Sequence, residues 1–285
     1  MSIKICPKCG SIAEYNAYYG RVTCTRCTWE GPKEDLLKKY RNNSSFNAVL
    51  YKKKIVKWIK DWFNVNGPDC NAVIGISGGK DSSIIAALCV EALGKDRVIG
   101  VLMPNGEQAD IEDSKRVVET LGIKYLTVNI ENTIKTLCIS LPPMSKQAEV
   151  NLPPRIRMAT LYAVSQSYNG RVVNTCNLSE TLLGWETRWG DAVGDFAPFG
   201  NITATEVVLI GLETSLPRNL VVKIPADGLC GHTDEDAFGF SYAVLDKYIR
   251  TGEIEDSSIK FKIDEMIKRN WFKHSPIPTF ELKKK

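Results

Sequence analysis

The segment Gly75-Ile76-Ser77-Gly78-Gly79-Lys80-Asp81-Ser82-Ser83 decides how the chain is interpreted. It follows a short β-branched run at residues 72–76 and precedes residues 84–93, whose composition predicts a helix. Backbone N–H groups at such a strand, loop and helix junction bind anions, because the helix dipole points at them and glycine allows close approach. The segment is not a Walker loop, whose second glycine would fall at Lys80, and the chain has no G-x-G-x-x-G motif.

Outward from this loop, short apolar runs alternate with helical stretches. A helix is predicted at residues 48–63, where apolar residues recur at near-helical spacing. The strands are predicted at residues 72–76, 98–103, 125–128, 171–174 and 221–224. Such alternation predicts an α/β fold, a parallel sheet flanked by helices on both faces.

The composition is that of a globular protein. The chain has 285 residues, of which 44% are hydrophobic and 25% charged, enough for one large domain and a small appendage. The longest apolar runs, such as residues 98–103, fall far short of the roughly 20 residues of a membrane-spanning helix. We therefore expect a soluble, cytoplasmic protein with no membrane partner and exclude disordered and fibrous classes.

The cysteines follow metal-binding spacing near the N-terminus. Cys6 and Cys9 form one Cys-x-x-Cys pair, and Cys24 and Cys27 form another, with fourteen residues between the two pairs. Four thiolates suit a closed tetrahedral Zn²⁺ site that organises folding, with an iron site as the alternative. About 30 residues cannot build a core of their own, so the metal supplies stability. The predicted domains are a zinc ribbon at 1–31, a linker at 32–47 and a catalytic domain at 48–285.

Charge is distributed unevenly along the chain. Residues 1–71 carry 13 Lys/Arg against 6 Asp/Glu, or +7, and the remainder carries 24 against 27, or −3. A basic front can attract nucleic acid, but the lysines at 52–60 are more typical of the solvated face of an amphipathic helix. We therefore expect no nucleic-acid partner.

The loop itself is similar to the SGGxDS loop of the ATP pyrophosphatase enzymes, the PP-loop superfamily. Members of that class cleave ATP between the α and β phosphates and form an adenylated substrate, from which a nitrogen or sulfur nucleophile displaces AMP. Asp81 would repel phosphates unless a cation lay between them, and Mg²⁺ is the expected mediator. The alternative role for Asp81 is to complement the helix dipole.

Further motifs, in order and spacing, resemble the ammonia-dependent NAD synthetases over roughly residues 48–282. The resemblance implies an adenine nucleotide alpha-hydrolase-like, Rossmann-like fold and a ligase that amidates deamido-NAD with ammonia through an adenylated intermediate, releasing AMP and pyrophosphate. The motifs are Asn151-Leu152-Pro153-Pro154-Arg155-Ile156-Arg157-Met158, Asn174-Thr175-Cys176-Asn177-Leu178-Ser179-Glu180, Gly184-Trp185-Glu186-Thr187-Arg188-Trp189-Gly190-Asp191, Gly194-Asp195-Phe196-Ala197-Pro198, Ile224-Pro225-Ala226-Asp227-Gly228 and Thr233-Asp234-Glu235-Asp236.

The resemblance also implies roles for individual residues. Catalysis is expected to involve Asp81, Glu180 and Asp191, of which Asp81 and Glu180 would bind Mg²⁺. The expected ATP-binding residues are Gly75, Ser77, Gly78, Gly79, Lys80, Asp81, Ser82, Ser83, Thr175 and Thr203. The expected deamido-NAD-binding residues are Arg155, Arg188, Asp195 and Lys273.

Several positions depart from the family pattern. Many members carry a phosphate-contacting lysine where this chain has Ala204 and a hydroxyl residue where it has Ala226, and Thr203, Thr205 or Lys80 could compensate. The family usually shows lysine where Arg188 stands. Its C-terminal His-Lys pair becomes Ile267-Lys268 or Phe272-Lys273. The other possible reactive groups, which we interpret as small buried residues or bystanders, are Cys176, Cys230, His232 and His274.

The sequence leaves alternatives for the ammonia source and for the function. A glutamine-using synthetase would need an additional amidase domain, and the 71 residues before the loop strand are too few for one. We expect free ammonia or an ammonia-supplying partner, and the resemblance implies a homodimer. The rivals are a PP-loop tRNA thiolation enzyme, suggested by the ribbon and the basic front, and a catalytically inactive nucleotide-binding scaffold, suggested by Ala204 and Ala226.

Overall fold

The computed structural model describes residues 41, 45–108, 111–223 and 233–280, and the backbone of three N-terminal strands. These strands are β1 (Lys4–Ile5), β2 (Ile12–Asn16) and β3 (Arg21–Cys24), which pair antiparallel in that order. The chain divides into two compact units. One comprises residues 1–43, 182–184 and 247–285, and the other comprises residues 44–181 and 185–246.

The larger unit contains a parallel sheet, as the sequence predicted. Among the described residues its strands are β4 (Asn71–Gly75), β5 (Val98–Leu102), β6 (Lys124–Thr127) and β7 (Gly170–Val172). They lie in the order β6-β5-β4-β7, and every neighbouring pair is parallel. Because β5 and β7 pair with opposite sides of β4, the loops that leave β4 and β7 diverge and open a crevice at this edge of the sheet.

Helices connect and cover the strands. None of those in the described part of the chain is both long and apolar enough to cross a membrane. The helices are α1 (Ala48–Asn66), α2 (Lys80–Leu93), α3 (Ile111–Leu121), α4 (Glu131–Ser140), α5 (Lys146–Ser167), α6 (Leu178–Leu183), α7 (Ala204–Gly211), α8 (Arg218–Val221), α9 (Asp234–Phe238), α10 (Tyr242–Thr251) and α11 (Ser257–Asn270).

The core of the larger unit lies on both faces of the sheet. Successive strand residues point to opposite faces, and both Val73 and Ile74 of β4 are fully buried. Ile74 belongs to the cluster that includes Phe63 of α1, whereas Val73 belongs to the cluster that includes Leu161 of α5. Burial on both faces explains why these strands are continuous apolar runs in the sequence.

Two predicted elements differ from the structure by more than a shift of one to three residues at an end. Helix α2 begins at Lys80, four residues before the predicted start, because Gly79 is its N-cap and the polar residues after it form the first turn. The strand predicted at residues 221–224 is wrong at its first residue, since Val221 ends α8. Pro217 is the N-cap of that helix, and the buried pair Leu220 and Val221 packs as part of it. Residue 224 lies outside the described residues.

The smaller unit contains the N-terminal strands, and Cys24 is the last residue of β3. The side chains of Cys6, Cys9, Cys24 and Cys27 and most of the 32–47 linker lie outside the described residues. The zinc ribbon and the three-part domain division therefore stay predictions. The described side chains of this unit include Arg41, which donates to the backbone carbonyls of Tyr248 and Ile249 near the end of α10.

A close backbone approach holds the segment after residue 190 against the end of β7. Asp195 N donates to Val172 O at 2.8 Å, and Asn174 N donates to Phe196 O at 2.9 Å. Gly194 lies between these contacts, and a Cβ atom there would stand 2.6 Å from Asn174 N. Only glycine allows the two chain segments to approach so closely.

Replacing Gly194 by alanine is therefore expected to destabilise the fold. The added methyl meets backbone atoms, which cannot rotate away, so we expect Gly194→Ala to lower the free energy of unfolding by about 1–3 kcal/mol. The measurement is chemical denaturation of the full chain. Gly200→Ala is the matched control, because its Cβ would have ordinary contacts, 3.4 Å from Ala197 O. Equal stability of the two variants would contradict this packing argument.

Candidate active site

The loop between β4 and α2 is held in shape by its own serines. Ser77 Oγ and Ser82 Oγ lie 3.2 Å apart, and Gly79 N donates to Ser77 Oγ at 3.2 Å. Ser83 Oγ donates to Gly79 O at 2.6 Å. Gly78 adopts a φ of 79°, which a residue with a side chain rarely takes. The loop is thus preorganised at the N-terminus of α2, where backbone N–H groups and the helix dipole favour an anion.

A buried ion pair lies in the first turn of α2. Lys80 Nζ and Asp81 Oδ2 are 2.6 Å apart, with side-chain exposures of 4% and 18%. Burial lowers the pKa of Lys80, but attraction by Asp81 and Glu180 outweighs it, so the pKa lies above its ordinary value. Lys80 therefore stays charged, and that charge compensates the neighbouring carboxylates.

Asn177 joins the loop after β4 to the loop after β7. Its Nδ2 donates to Asp81 Oδ1 at 3.2 Å, and its backbone N donates to Glu180 Oε2 at 3.2 Å. Its Oδ1 accepts from the backbone N–H groups of Ser179 and Glu180 at the start of α6. The motif at residues 174–180 contains Asn177, but no role for it was predicted from the sequence. The available signal was its position, shortly after the strand predicted at 171–174 and three residues before Glu180.

Glu180 has a strongly perturbed carboxyl group. Burial and the neighbouring charge of Asp81 raise its pKa to about 8, although Lys80 and the Asn177 backbone lower it in part. A negative charge at Glu180 is therefore under-compensated within the protein. A cation bound between Glu180 and Asp81 would favour its ionised form.

These two carboxylates fit the Mg²⁺ that the family resemblance implies. Within the described ranges, no three His, Cys, Asp or Glu side chains are arranged to hold a metal ion. Mg²⁺ commonly uses one or two carboxylates and completes its shell with water and substrate phosphates. Asp81 and Glu180 supply such a pair beside the anion-binding loop.

Asp234 and Tyr242 are a second pair whose position the sequence analysis did not foresee. Tyr242 Oη donates to Asp234 Oδ2 at 3.1 Å, and both residues are buried. Burial and the charges of Glu180 and Asp234 raise the pKa of Tyr242 far above its ordinary value, so it remains a hydrogen-bond donor. Asp234 also adds to the negative field around Lys80. The acidic motif Thr233–Asp236 was the sequence signal for Asp234.

The hydroxyl candidates Thr175 and Thr203 lie on different elements. Thr175 follows β7 and is partly exposed, whereas Thr203 is fully buried as the N-cap of α7. The N–H of Thr203 donates to Glu206 Oε2 at 2.9 Å. Ala204 is also buried, and its N–H donates to Ser179 Oγ at 3.0 Å. Position 204 therefore contributes a backbone contact and no charge.

A buried carboxylate fastens α6 to α7. Asp246 accepts from Ser179 Oγ at 2.5 Å and from both Thr205 N and Thr205 Oγ1, at 2.8 and 2.7 Å. Burial raises the pKa of Asp246, although these hydrogen bonds lower it in part. Because Ser179 precedes Glu180, the Asp246 contacts help to fix the start of the helix that carries Glu180.

Two of the predicted dinucleotide-binding residues, Arg155 and Arg188, are in contact with each other. Arg155 Nε on α5 donates to Arg188 O at 3.3 Å, and the Arg188 guanidinium lies 5.0 Å from the Trp189 ring centre. Asp191 Oδ1 accepts from Thr187 N at 3.0 Å. Desolvation raises the pKa of Asp191, although the contacts with Thr187 lower it in part. The two arginines are thus held on one surface by backbone and ring contacts.

Asp195 has structural contacts as well as its predicted binding role. Its Oδ2 accepts from Val172 N in β7 at 2.7 Å, and its Oδ1 accepts from Tyr162 Oη at 3.4 Å. Burial and the charge of Asp195 raise the pKa of Tyr162. The Asp195 carboxylate therefore accepts a hydrogen bond from a backbone N–H on the outer side of β7, and the residue remains exposed.

Asn174 joins the segment that follows β7 to the backbone of Asp191. Its Nδ2 donates to Asp191 O at 2.9 Å, and its Oδ1 accepts from Cys176 N at 3.0 Å. Burial, with the charge of Asp191, raises the pKa of Cys176 well above its ordinary value. A thiol in this state is a poor nucleophile, which agrees with the interpretation of Cys176 as a small buried residue.

The remaining predicted positions lie elsewhere. Lys273 belongs to the smaller unit, where its Nζ donates to Gly184 O at 2.6 Å. His274 is in the same unit, with its ring 6.5 Å from that of Trp271. Ala226, Cys230 and His232, like the four predicted zinc ligands, have side chains outside the described residues.

Together, the sheet topology, the glycine loop and the acidic pair define a nucleotide-binding protein of the α/β class. The family model described as NAD synthase matches residues 51–276. The chain therefore belongs to the NAD synthase family.

Individual relatives agree with this assignment. The NH₃-dependent NAD⁺ synthetase of Pyrococcus furiosus is 40% identical over 198 residues, covering 69% of this chain and 77% of the relative. That of Pyrococcus horikoshii is 37% identical over 250 residues, covering 82% and 97%. Among solved structures, NMN synthetase from Francisella tularensis superposes with a TM-score of 0.77 at 30% identity, covering 84% of this chain and 100% of that one.

The raised pKa of Glu180 leads to a pH dependence of stability. Between its ordinary pKa and about 8, the folded protein holds a proton that the unfolded chain releases. In metal-free buffer the free energy of unfolding should therefore fall as pH rises from about 5 to 8, and Glu180→Gln should flatten that slope. Denaturant titrations at several pH values measure it. Glu119→Gln, at an exposed position on α3, is the control and should retain the slope. A slope unchanged in Glu180→Gln would contradict the assignment.

Proposed function

We propose that this protein is an ammonia-dependent NAD synthetase. In the proposed reaction, ATP adenylates the nicotinate carboxylate of deamido-NAD with loss of pyrophosphate, and ammonia then displaces AMP to give NAD. The observation that carries the proposal is the anion-binding loop at the end of β4 beside the Asp81 and Glu180 carboxylates. Relatives named NH₃-dependent NAD⁺ synthetase, which align with 69% and 82% of the chain, support the proposal.

In the first step, a carboxylate oxygen attacks the α-phosphorus of ATP and the bond to the β-phosphate oxygen breaks. The carboxylate alone is a poor electrophile, and adenylation gives it a leaving group. The Ser77–Gly79 backbone and the N-terminus of α2 would bind the phosphates of ATP. Asp81 and Glu180 would hold Mg²⁺, which supplies charge neutralisation on the departing pyrophosphate.

In the second step, the nitrogen of ammonia attacks the acyl carbon and AMP leaves with the electron pair of the acyl–oxygen bond. The attacking nitrogen must also lose a proton to become a neutral amide. We assign that proton to Asp191, whose carboxyl has a raised pKa and therefore accepts a proton more readily than an ordinary aspartate.

Arg155 and Arg188 would bind the dinucleotide. Each guanidinium can form paired hydrogen bonds with a phosphate, and two cations suit the two phosphates of deamido-NAD. The structural likeness to the Francisella tularensis protein titled NMN synthetase favours a second candidate, the corresponding mononucleotide substrate. That substrate has one phosphate and would leave one of the two arginines without a phosphate partner.

We further propose that the protein works as a homodimer, as the family resemblance implies. A groove of about 620 Å³ between α4 and α5 is lined mainly by apolar side chains, among them Ile134, Leu141 and Met144. Ile139 of α4 is 86% exposed. An apolar surface of this kind supports association between copies of the chain.

The amidation reaction is tested directly with purified protein. Deamido-NAD, ATP, Mg²⁺ and ammonium are expected to give NAD and pyrophosphate, whereas glutamine in place of ammonium is expected to give neither. Asp81→Ala should lower the rate by about 100-fold or more, because it removes a carboxylate from the metal pair. Asp61→Ala is the matched control, since Asp61 is exposed on α1 and pairs with Lys57. Its rate should equal that of the unmodified chain.

Parallel samples separate the alternatives. Faster turnover of the mononucleotide than of deamido-NAD would replace the proposed substrate. ATP binding without any product would favour the inactive scaffold. Absence of both binding and turnover in folded protein would reject the synthetase, and thiolation of tRNA would then be the next activity to assay.

We propose that Cys6, Cys9, Cys24 and Cys27 bind one structural Zn²⁺, because two Cys-x-x-Cys pairs suit a closed tetrahedral site. Elemental analysis of the full chain should find about one zinc ion per chain, and Cys6→Ser should lower zinc retention and thermal stability. Cys138→Ser, at an exposed cysteine, is the control and should retain zinc. Iron in place of zinc, or full metal content in Cys6→Ser, would contradict the proposal.

A further inference from the structure

Lys223 contacts the anion-binding loop from outside the motif that defines it. Its Nζ donates to Gly78 O at 3.2 Å and lies 2.8 Å from Asp113 Oδ2 on α3. The Lys223 side chain is partly exposed, at 31%. The sequence analysis assigned no role to this residue.

The loop's own lysine cannot supply much positive charge to a ligand. Lys80 is almost completely buried and lies 2.6 Å from Asp81. Glu180 and Asp234 also act on it, so carboxylates outnumber this ammonium group. A polyphosphate bound in the loop would add further negative charge to this region. The proposed Mg²⁺ would offset part of this charge, and backbone N–H groups and the helix dipole carry only partial charges, so a further full cation near the phosphates would stabilise the bound ligand.

The contacts of Lys223 allow it to take this role. Gly78 has the φ of 79° that shapes the loop, and the next residue, Gly79, is the N-cap of α2, whose N-terminus is the expected anion site. An ammonium on Gly78 O is therefore within one residue of that site, and consecutive Cα atoms are about 3.8 Å apart. Asp113 has a second partner, Arg116 Nη1 at 3.5 Å, so it keeps a cation if Lys223 turns to a phosphate.

We propose that Lys223 binds the β- and γ-phosphates of ATP and then the pyrophosphate product. An ammonium has three donors, so Lys223 can exchange one protein partner for a phosphate oxygen and retain another. This inference rests on the proposed function, since it assigns a residue to the triphosphate of that reaction. It also predicts a specificity. Lys223 contributes to the binding affinity of ligands that contain the outer phosphates and does not contribute to that of AMP.

The test is calorimetric binding of Mg²⁺–ATP, Mg²⁺–pyrophosphate and AMP to the full chain. Lys223→Gln should weaken binding of ATP and pyrophosphate by about 10- to 100-fold, the effect of losing a charge-assisted hydrogen bond, and leave AMP binding within about twofold. Lys223→Arg should retain most of the affinity because it keeps the charge. Lys115→Gln, which removes an exposed lysine of α3 that pairs with Glu112, is the matched control and should bind like the unmodified chain.

Asp113→Asn separates a ligand-binding role from a purely structural tether. If Lys223 only ties the loop to α3, breaking the tether from either side should weaken ATP binding equally. If Lys223 binds phosphate, Asp113→Asn removes a competing carboxylate, and ATP should bind as tightly as before or more tightly. This variant and Lys223→Arg keep the test valid even if Lys223→Gln folds poorly.

The outcomes also distinguish this inference from the proposed function. Equal ATP affinity in Lys223→Gln and the unmodified chain would overturn the role of Lys223 and leave the synthetase proposal intact. Equal losses in Lys223→Gln and Asp113→Asn, or a parallel loss of AMP binding, would overturn it in favour of a tether. Failure of the unmodified chain to bind ATP or pyrophosphate would instead reject the proposed function.

Discussion

The fold brings two carboxylates, Asp81 and Glu180, to one buried ammonium group, and the rest of the site depends on this arrangement. Like charges held close together in a poorly solvated place are unfavourable unless a cation compensates them. Lys80 supplies part of that compensation, and the raised pKa of Glu180 shows that it is incomplete. The carboxylates thus leave uncompensated negative charge, which a bound divalent cation and its phosphate ligands can neutralise.

Buried polar side chains hold this arrangement in register. Asn177 hydrogen-bonds to Asp81 and to Glu180, and Asp246 fixes the start of α6 through Ser179. Asn174, three residues before Asn177, donates to the backbone of Asp191. Such interior hydrogen bonds are costly to leave unmade, so each fixes the position of its neighbour. The hydrogen bonds of Asn177 and Asn174 therefore fix two nearby positions after β7, one towards Asp81 and one towards Asp191.

The sequence was sufficient to predict the sheet and the loop, because buried parallel strands are continuous apolar runs and glycines with serines mark the anion site. It predicted Asp81 and Glu180 through the family motifs. It did not predict the contacts of Asn177 and Lys223, because they join residues 96 or more positions apart, as for Asn177 with Asp81 and Lys223 with Gly78. The contact of Asp234 with Tyr242 spans only eight residues, but the effect of Asp234 on Lys80 depends on the fold. The strand predicted at 221–224 was wrong at Val221 because a short buried helix and a buried strand have the same apolar composition.

The contact between Asp195 and Val172 has a consequence for the behaviour of the protein at high concentration. Among the described strands of the sheet, β7 lies at one end, where free N–H groups would invite pairing with a strand of another molecule. Residues 193–196 occupy that side, and the Asp195 carboxylate takes the Val172 N–H with a negative charge. The segment that presents a predicted substrate contact thus also protects the sheet from edge-to-edge aggregation.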